Sequence, residues 1–169
     1  MFKIVSLVVI FFVSLVFIGC NEPKANVRSH KMFQTVTQKE ATIAQTGEHK
    51  ASCSRCGMDL VRFYKTNHLA TIGDKKYQYC SIHCLEEHLG EGVTLKNPKV
   101  VDLKSLKFIP VNDAYYVVGS KVRGTMSKIS KYAFATLDDA KKFQAEHGGE
   151  IMNFTKAREI AQKDFKYYR

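Results

Sequence analysis

The chain has 169 residues, five cysteines, no tryptophan and a formal net charge of +10, a length that suits one domain with its own hydrophobic core. Its lysines are scattered, as in Lys75-Lys76, Lys96, Lys99, Lys104, Lys107, Lys141-Lys142, Lys163 and Lys166. They form a solvated surface suited to anionic lipid or an acidic partner, and no block of the kind that binds nucleic acid.

Met1 to Cys20 opens with Lys3, runs through fifteen mostly apolar residues from Ile4 to Ile18, and closes on Phe17-Ile18-Gly19-Cys20. A membrane span needs roughly 20 such residues, so the run reads as a targeting segment. Its ending is similar to a bacterial lipobox, with phenylalanine where leucine is usual. Residues 1–19 are then a lipoprotein signal peptide and Cys20 the lipidated N-terminus. Two or more acyl chains, at about 0.8 kcal/mol per buried methylene, anchor stably to a bilayer where one would not. The alternative is an uncleaved anchor helix, and both put the domain outside the cytoplasm. Residues 20–50 are polar, with Phe33 their one aromatic, and are expected to be a tether. His30, Met32 and His49 are read there as solvated, while Met32 to Val36 is a candidate extra strand or partner contact.

The four remaining cysteines lie in Cys53-Ser54-Arg55-Cys56-Gly57-Met58 and Cys80-Ser81-Ile82-His83-Cys84. A C-x2-C pair lets two thiolates on one tight turn face a common point, with Gly57 freeing the backbone to bend. Leu69 to Ile72 and Tyr77 to Tyr79 read as strands joined by a type II′ turn at Gly73-Asp74. A helix follows, capped by Ser81, with Ile82, Leu85 and Leu89 at helical spacing and Gly90 as its stop. Cys84 falls in the first turn, where the helix dipole favours a thiolate. Metal binding is the leading use for Cys53, Cys56, Cys80 and Cys84, with Met58 and His83 as further ligands. Two disulfides, or a redox dithiol at Cys53 and Cys56 beside Arg55, are the alternatives. His88 is expected on the helix surface.

Past a loop from Gly90 to Pro98, strands are expected at Val100 to Leu103, Leu106 to Ile109, Ala114 to Val118 and Tyr132 to Ala135. Thr136 should cap a helix carrying Leu137, Ala140 and Phe143 that ends near Gly148-Gly149. Glu150 to Phe154 reads as an edge strand, and a Thr155-capped helix with Ala157, Ile160, Ala161 and Phe165 should pack on the sheet. Both parts of the chain thus read strand, strand, helix. The expected fold is α+β, two small ββα(β) halves, about 51–104 and 105–169, packed as one domain. Gly119 to Lys131 should be a flexible surface loop displaying Met126, whose thioether suits a soft ion.

Several of these stretches resemble the accessory lipoproteins of nitrous oxide reductase, the NosL family. They are the lipobox cysteine, Cys56-Gly57-Met58, Phe63-Tyr64-Lys65-Thr66-Asn67-His68, Tyr79-Cys80-Ser81-Ile82-His83-Cys84-Leu85, Gly124-Thr125-Met126-Ser127-Lys128 and Tyr132-Ala133-Phe134, running on to Gly148-Gly149 and Phe154. The resemblance implies a paired ββαβ-like fold and an exported, lipid-anchored Cu(I) metallochaperone in the periplasm. It also implies nitrous oxide reductase as the partner, no enzymatic activity and no small-molecule substrate. By the same resemblance Cys56 and Met58 match the family's Cys-Gly-Met, and Met126 a methionine of its second half. Cys53 and the Cys80/Cys84 pair depart from the simpler members and look like a cysteine-rich heavy-metal-trafficking site. They leave open whether these thiolates hold Cu(I) or form a structural zinc site, which would make the protein a zinc-stabilised docking module.

Overall fold

A computed structural model describes residues 32–166, with side chains to 164. The expected signal peptide, Cys20, the start of the expected tether with His30, and the side chain of Phe165 lie outside the described residues. Strands β1 (His68–Ile72) and β2 (Lys75–Tyr79) pair antiparallel, with Ile72 opposite Lys75. That register leaves the expected two-residue turn, in which Gly73 alone has a positive φ, 56°, as a type II′ turn requires. Helix α1 (Ile82–Gly90) follows at once. Ser81 occupies the cap position in extended backbone, but its hydroxyl makes no capping bond. Gly90 is still helical, because the N–H groups of Glu91 and Gly92 bond back to His88 and Leu89 and carry the last turn onward.

Strand β3 (Lys96–Val101) pairs with the free side of β1, and β4 (Phe108–Pro110) pairs with β3, giving an antiparallel sheet in the order β2-β1-β3-β4. The second sheet has β5 (Tyr115–Val118) between β6 (Lys131–Phe134) and β7 (Glu150–Met152), with α2 (Leu137–His147) between β6 and β7 in the chain. Each half is therefore a ββαβ unit with its first strand in the middle, and the fold is α+β. The change of sheet comes after Pro110, later than the division expected near position 104. Asp102 is the cause: its carboxylate accepts from the N–H and hydroxyl of Ser105 and turns β4 back onto β3.

The halves are joined through buried polar groups. Leu103 N–H donates to the Ala133 carbonyl (2.8 Å) and Ala135 N–H to the other Asp102 oxygen (2.9 Å). Helix α3 (Phe154–Lys166) leaves the second sheet and lies on α1 as well as on β5. Ala157, Ala161 and Leu85 are fully buried, Arg158 pairs with Glu86, and Gln162 donates to the same carboxylate. The cap of α3 is Asn153, whose side-chain oxygen accepts from Lys156 N–H at 3.0 Å; Thr155 lies inside the helix. Thr136 caps α2 as expected. Among the described residues no helix is long and apolar enough to cross a membrane.

The stretch from Met32 to Lys50 is neither a strand nor a loose tether. Val36 is buried with Tyr64 and Val101, and Phe33 meets the edge of Tyr132. Three glutamines explain how a polar, irregular segment packs. Gln78 accepts from Ala44 N–H and donates to the Thr42 carbonyl, Gln45 donates to the carbonyls of Lys50 and Ser52, and Gln34 is buried against Arg123. Amide side chains thus supply the hydrogen bonds that a neighbouring strand would supply.

His68 is buried where β1 meets β5. Its Nδ1 faces the Thr66 carbonyl at 3.1 Å, which only accepts, so that nitrogen carries the proton and Nε2 accepts from the Tyr116 hydroxyl at 3.2 Å. Burial pushes its pKa down to about 4. A histidine kept neutral in the fold stabilises it fully above the unfolded pKa, and that contribution is lost as pH falls. Urea titrations of the metal-free protein should therefore lose roughly 3 kcal/mol between about pH 6.5 and pH 4, in excess of the loss in His68→Gln.

Candidate metal centre

Residues 51–60 fold into a small hairpin that presents the first cysteine pair. Ser52 bridges Asp59, Leu60 N–H donates to the Ala51 carbonyl, and Cys53 N–H donates to the Met58 carbonyl at 2.7 Å. Gly57 closes the turn with φ 75°, a conformation that a side chain would strain. The Asp59 carboxylate then accepts from Val61 and Arg62 N–H and fixes the exit. The second pair sits at a strand–helix junction, Cys80 directly after β2 and Cys84 as the third residue of α1. The two elements are held together where Ser54 N–H donates to the Gln78 carbonyl (3.0 Å) and Cys80 N–H to Cys53 Sγ (3.3 Å).

All four thiol sulfurs lie within 4.8 Å of one another. Cys80 Sγ is central, 3.6 Å from Cys56 Sγ, 3.7 Å from Cys84 Sγ, 4.0 Å from Met58 Sδ and 3.9 Å from Met126 Sδ. A tetrahedral ion with metal–sulfur bonds of ~2.3 Å spaces its sulfurs ~3.8 Å apart, so the thiols stand close to a four-sulfur metal site. They are free thiols and not disulfides. Cys53, Cys80 and Cys84 are buried, whereas Cys56 is exposed and Met126 is 44% exposed. The centre is thus closed on the protein side and open along one edge.

The thiols divide their protons unequally. Hydrogen bonds from Cys56, Cys80 and Cys84 converge on Cys53 and hold its pKa far below the ordinary thiol value. At Cys56 the contact with Cys53 pushes the pKa up, but Cys80 and Cys84 outweigh it and bring it down to about 7. Cys80 and Cys84 are pushed up, first by Cys53 and then by Cys56. The helix dipole therefore does not make Cys84 the acidic thiol, because a negative charge settled on Cys53 opposes a second one nearby. Metal binding replaces the shared protons. In reduced, metal-free protein at pH 7, iodoacetamide should alkylate Cys56 at least about tenfold faster than Cys53, Cys80 or Cys84, as mass spectrometry of a time course would read.

Met126 reaches the cluster from the other half. Its Sδ is 3.7 Å from Cys84 Sγ, and its backbone has φ 55°, left-handed for a non-glycine residue. The loop carrying it is not free. The Thr66 hydroxyl is the donor to the buried Thr125 Oγ1 at 2.7 Å and lies 2.8 Å from the Cys80 carbonyl, the other acceptor that its one proton can serve. On the other side Ser127 donates to Asp164 at 2.7 Å. Lys131 donates to Asp164 (2.8 Å), to the Ile129 carbonyl (2.8 Å) and to Ser127 (3.2 Å). Tyr132 and Gln34 both donate to the Arg123 carbonyl.

The expected ligands come together except for one. Cys53, Cys56, Cys80 and Cys84 converge, with Met58 and Met126 beside them, but the donor group contains no histidine. His83 leaves α1 in a different direction, 3.5 Å from Lys131 Nζ and 3.8 Å from the Asp164 carboxylate. Helical geometry is the reason, since neighbouring residues on a helix point about 100° apart and Cys84 already takes the direction of the cluster. Burial, with Lys131 alongside, lowers the His83 pKa to about 4 and keeps it neutral. His88 is buried too, bonded to the Tyr79 hydroxyl at 2.9 Å and not on the surface. Lys131, Asp164 and Thr66, which position Met126, were not singled out from the sequence. A lysine opening an otherwise apolar strand, as in Lys131-Tyr132-Ala133-Phe134, is a signal for Lys131 alone.

Burial pushes the Asp164 pKa up, but Lys131 and Ser127 outweigh it and leave the carboxyl below its ordinary value. Its contribution is therefore full at neutral pH and lost as pH falls through that lowered value. Asp164→Ala strips a buried lysine of its counter-charge and should destabilise the protein by about 3 kcal/mol in urea unfolding at pH 7. Much of that difference should vanish in strong acid.

Fold and site together define a small α+β protein that gathers soft sulfur donors from two repeated halves, one edge of the group left open to solvent. The chain belongs to the NosL family, whose model matches residues 42–162. It is similar to a crystal structure described as that of the copper chaperone NosL from Shewanella denitrificans, at 24% sequence identity and a TM-score of 0.53, over 66% of this chain and 92% of that one. At that identity the likeness carries the fold. Among curated proteins none matches the sequence.

Proposed function

We propose that the chain is an exported Cu(I) metallochaperone, anchored to the cell-envelope membrane through Cys20 and facing the periplasm, that helps assemble the copper centre of nitrous oxide reductase. The observation that carries the copper part is the sulfur set around Cys80, with Cys56 and Met126 reaching solvent. Thiolate and thioether are the donors that select Cu(I), which is content with two or three of them. An ion so held can be passed on when a partner's soft ligand enters at the open edge and a resident one leaves. Family membership and the copper chaperone of similar fold support the same reading. Membrane, compartment and client rest on the lipobox-like Phe17-Ile18-Gly19-Cys20 and on the resemblance to the accessory lipoproteins. Copper is cargo in this scheme, and the protein performs no bond-making reaction on a substrate.

A second reading is favoured by the four thiols lying within 4.8 Å of one another, a set that suits a closed zinc site stabilising a docking module. Metal identity separates the two. Protein isolated anaerobically from its own envelope should carry copper, or take Cu(I) from a chromophoric chelator. Cys56→Ser combined with Met58→Ala should weaken that affinity at least about tenfold. Stoichiometric zinc with no capacity for Cu(I) would favour the docking module, and unchanged affinity in the double variant would remove those two residues from the site.

A further inference from the structure

The sulfur set exceeds what one monovalent soft ion can use. Three further thiols and two thioethers surround Cys80 Sγ, six sulfurs in all, whereas Cu(I) takes two to about four donors. The surplus is also organised in space. Cys80 Sγ, Cys84 Sγ and Met126 Sδ form a nearly equilateral triangle with sides of 3.7, 3.9 and 3.7 Å. A three-coordinate ion with bonds of ~2.3 Å spaces its sulfurs ~4.0 Å apart, so the triangle approximates a trigonal site as it stands. It shares the edge Cys80–Cys84 with the four-thiol group, and thiolate sulfur has lone pairs enough to serve two ions at once.

Charge and strain point the same way. One monovalent ion on four thiolates leaves three negative charges where Cys53, Cys80 and Cys84 are almost wholly buried, or else leaves thiols protonated and donors idle. Arg55, the cation inside the first cysteine pair, is engaged with Glu87 and Glu91. Met126 holds a left-handed backbone while keeping its thioether against two buried sulfurs and part of its side chain in water. A left-handed backbone is strained for any residue but glycine. The hydrogen bonds of Thr125 and Ser127 on either side hold that backbone in place, and coordination of an ion by the thioether would add to them.

We propose that the centre takes two soft monovalent ions. An inner one is held among Cys53, Cys56, Cys80 and Cys84, and an outer one on the triangle of Cys80, Cys84 and Met126, with the Cys80 and Cys84 sulfurs bridging them. The outer ion is the one held by the exposed thioether, a neutral and weaker donor than a thiolate, and is therefore the first available to a partner. This rests on the Cu(I) reading above and adds its stoichiometry and order.

The test is anaerobic titration of the reduced full chain with an acetonitrile complex of Cu(I) against a chromophoric chelator, with X-ray absorption of the loaded protein. The wild type should bind about two equivalents and show a short copper–copper vector. Met126→Leu, which keeps the side-chain volume, should bind about one equivalent and lose the vector. Cys53→Ser should disturb the inner ion and leave a single, weaker equivalent that Met126→Leu then abolishes. Thermal unfolding of each variant separates loss of ligand from loss of fold, and the absorption measurement on wild type decides the question should a variant fail to fold. Saturation of wild type at one equivalent, or two equivalents retained in Met126→Leu, overturns the two-ion site and leaves the chaperone reading standing. No binding of Cu(I) at all overturns both.

Discussion

The Thr66 hydroxyl holds the position on which the rest of the centre depends. Its donor oxygen lies 2.7 Å from Thr125 Oγ1 and 2.8 Å from the Cys80 carbonyl, so one hydroxyl stands between the central cysteine of the first half and the methionine loop of the second. The bond is buried, where a lost partner leaves a polar group unsatisfied and costs more than the bond itself contributes. Around it the two sheets have little freedom to slide, since Asp102 ties β3 to the end of β6 and Asn67 donates to the Leu60 carbonyl behind the first cysteine turn. The sulfurs are close because backbone elements are pinned, not because the sulfurs attract one another.

Repetition of a ββαβ unit explains how so short a chain assembles donors from distant positions. In the first unit β1 and β2 are joined by two residues; in the second, β5 and β6 are joined by a loop from Gly119 to Ser130. One unit therefore presents cysteines at the end of its hairpin's second strand, while the other uses a lengthened hairpin connection to reach across. The network of Lys131, Asp164 and Ser127 stiffens that connection from below. Helix α3, which carries Asp164, also packs on α1, which carries Cys84, so a single helix supports both sides of the methionine contact.

Much of this was legible in the sequence where a local signal and a tertiary requirement agree. The Gly73-Asp74 turn, the start of α1 that sets Cys84 in its first turn, the Thr136 cap and the repeated order of strands all follow from short-range chemistry, and the cysteine spacing identified four of the clustered donors. The misses have a common cause. The packed stretch from Met32 to Lys50 is polar because its backbone is satisfied by glutamine side chains rather than by a strand, and composition alone equates that with solvation. Asn153 displaced Thr155 as the cap of α3 because β7 ends two residues earlier than its apolar pattern. His83 and Cys84 are adjacent in sequence, yet which of them faces the cluster depends on how α1 lies against α3 and β6. The rigidity of the Met126 loop depends on Lys131 and Asp164, far apart in the chain, and no local pattern announces such a pair.

The distribution of burial gives the centre a direction. Cys53, Cys80 and Cys84 are sealed by the core of the first half, with Leu60, Tyr79 and Leu85 fully buried around them. Cys56 and Met126 stand at the rim from opposite sides, one on a glycine-closed turn and the other on a strained but anchored loop. A site meant only to hold an ion gains from closing that rim, because excluding water and competing ligands slows loss. A site meant to surrender an ion needs at least one ligand that can be displaced without disturbing the others. The thioether of Met126 is neutral and the weaker donor, and its departure strands no buried charge, whereas releasing a buried thiolate would. The open edge and the soft neutral donor therefore fit the proposed transfer, in which the buried thiolates would retain an ion and the methionine would set how readily it leaves.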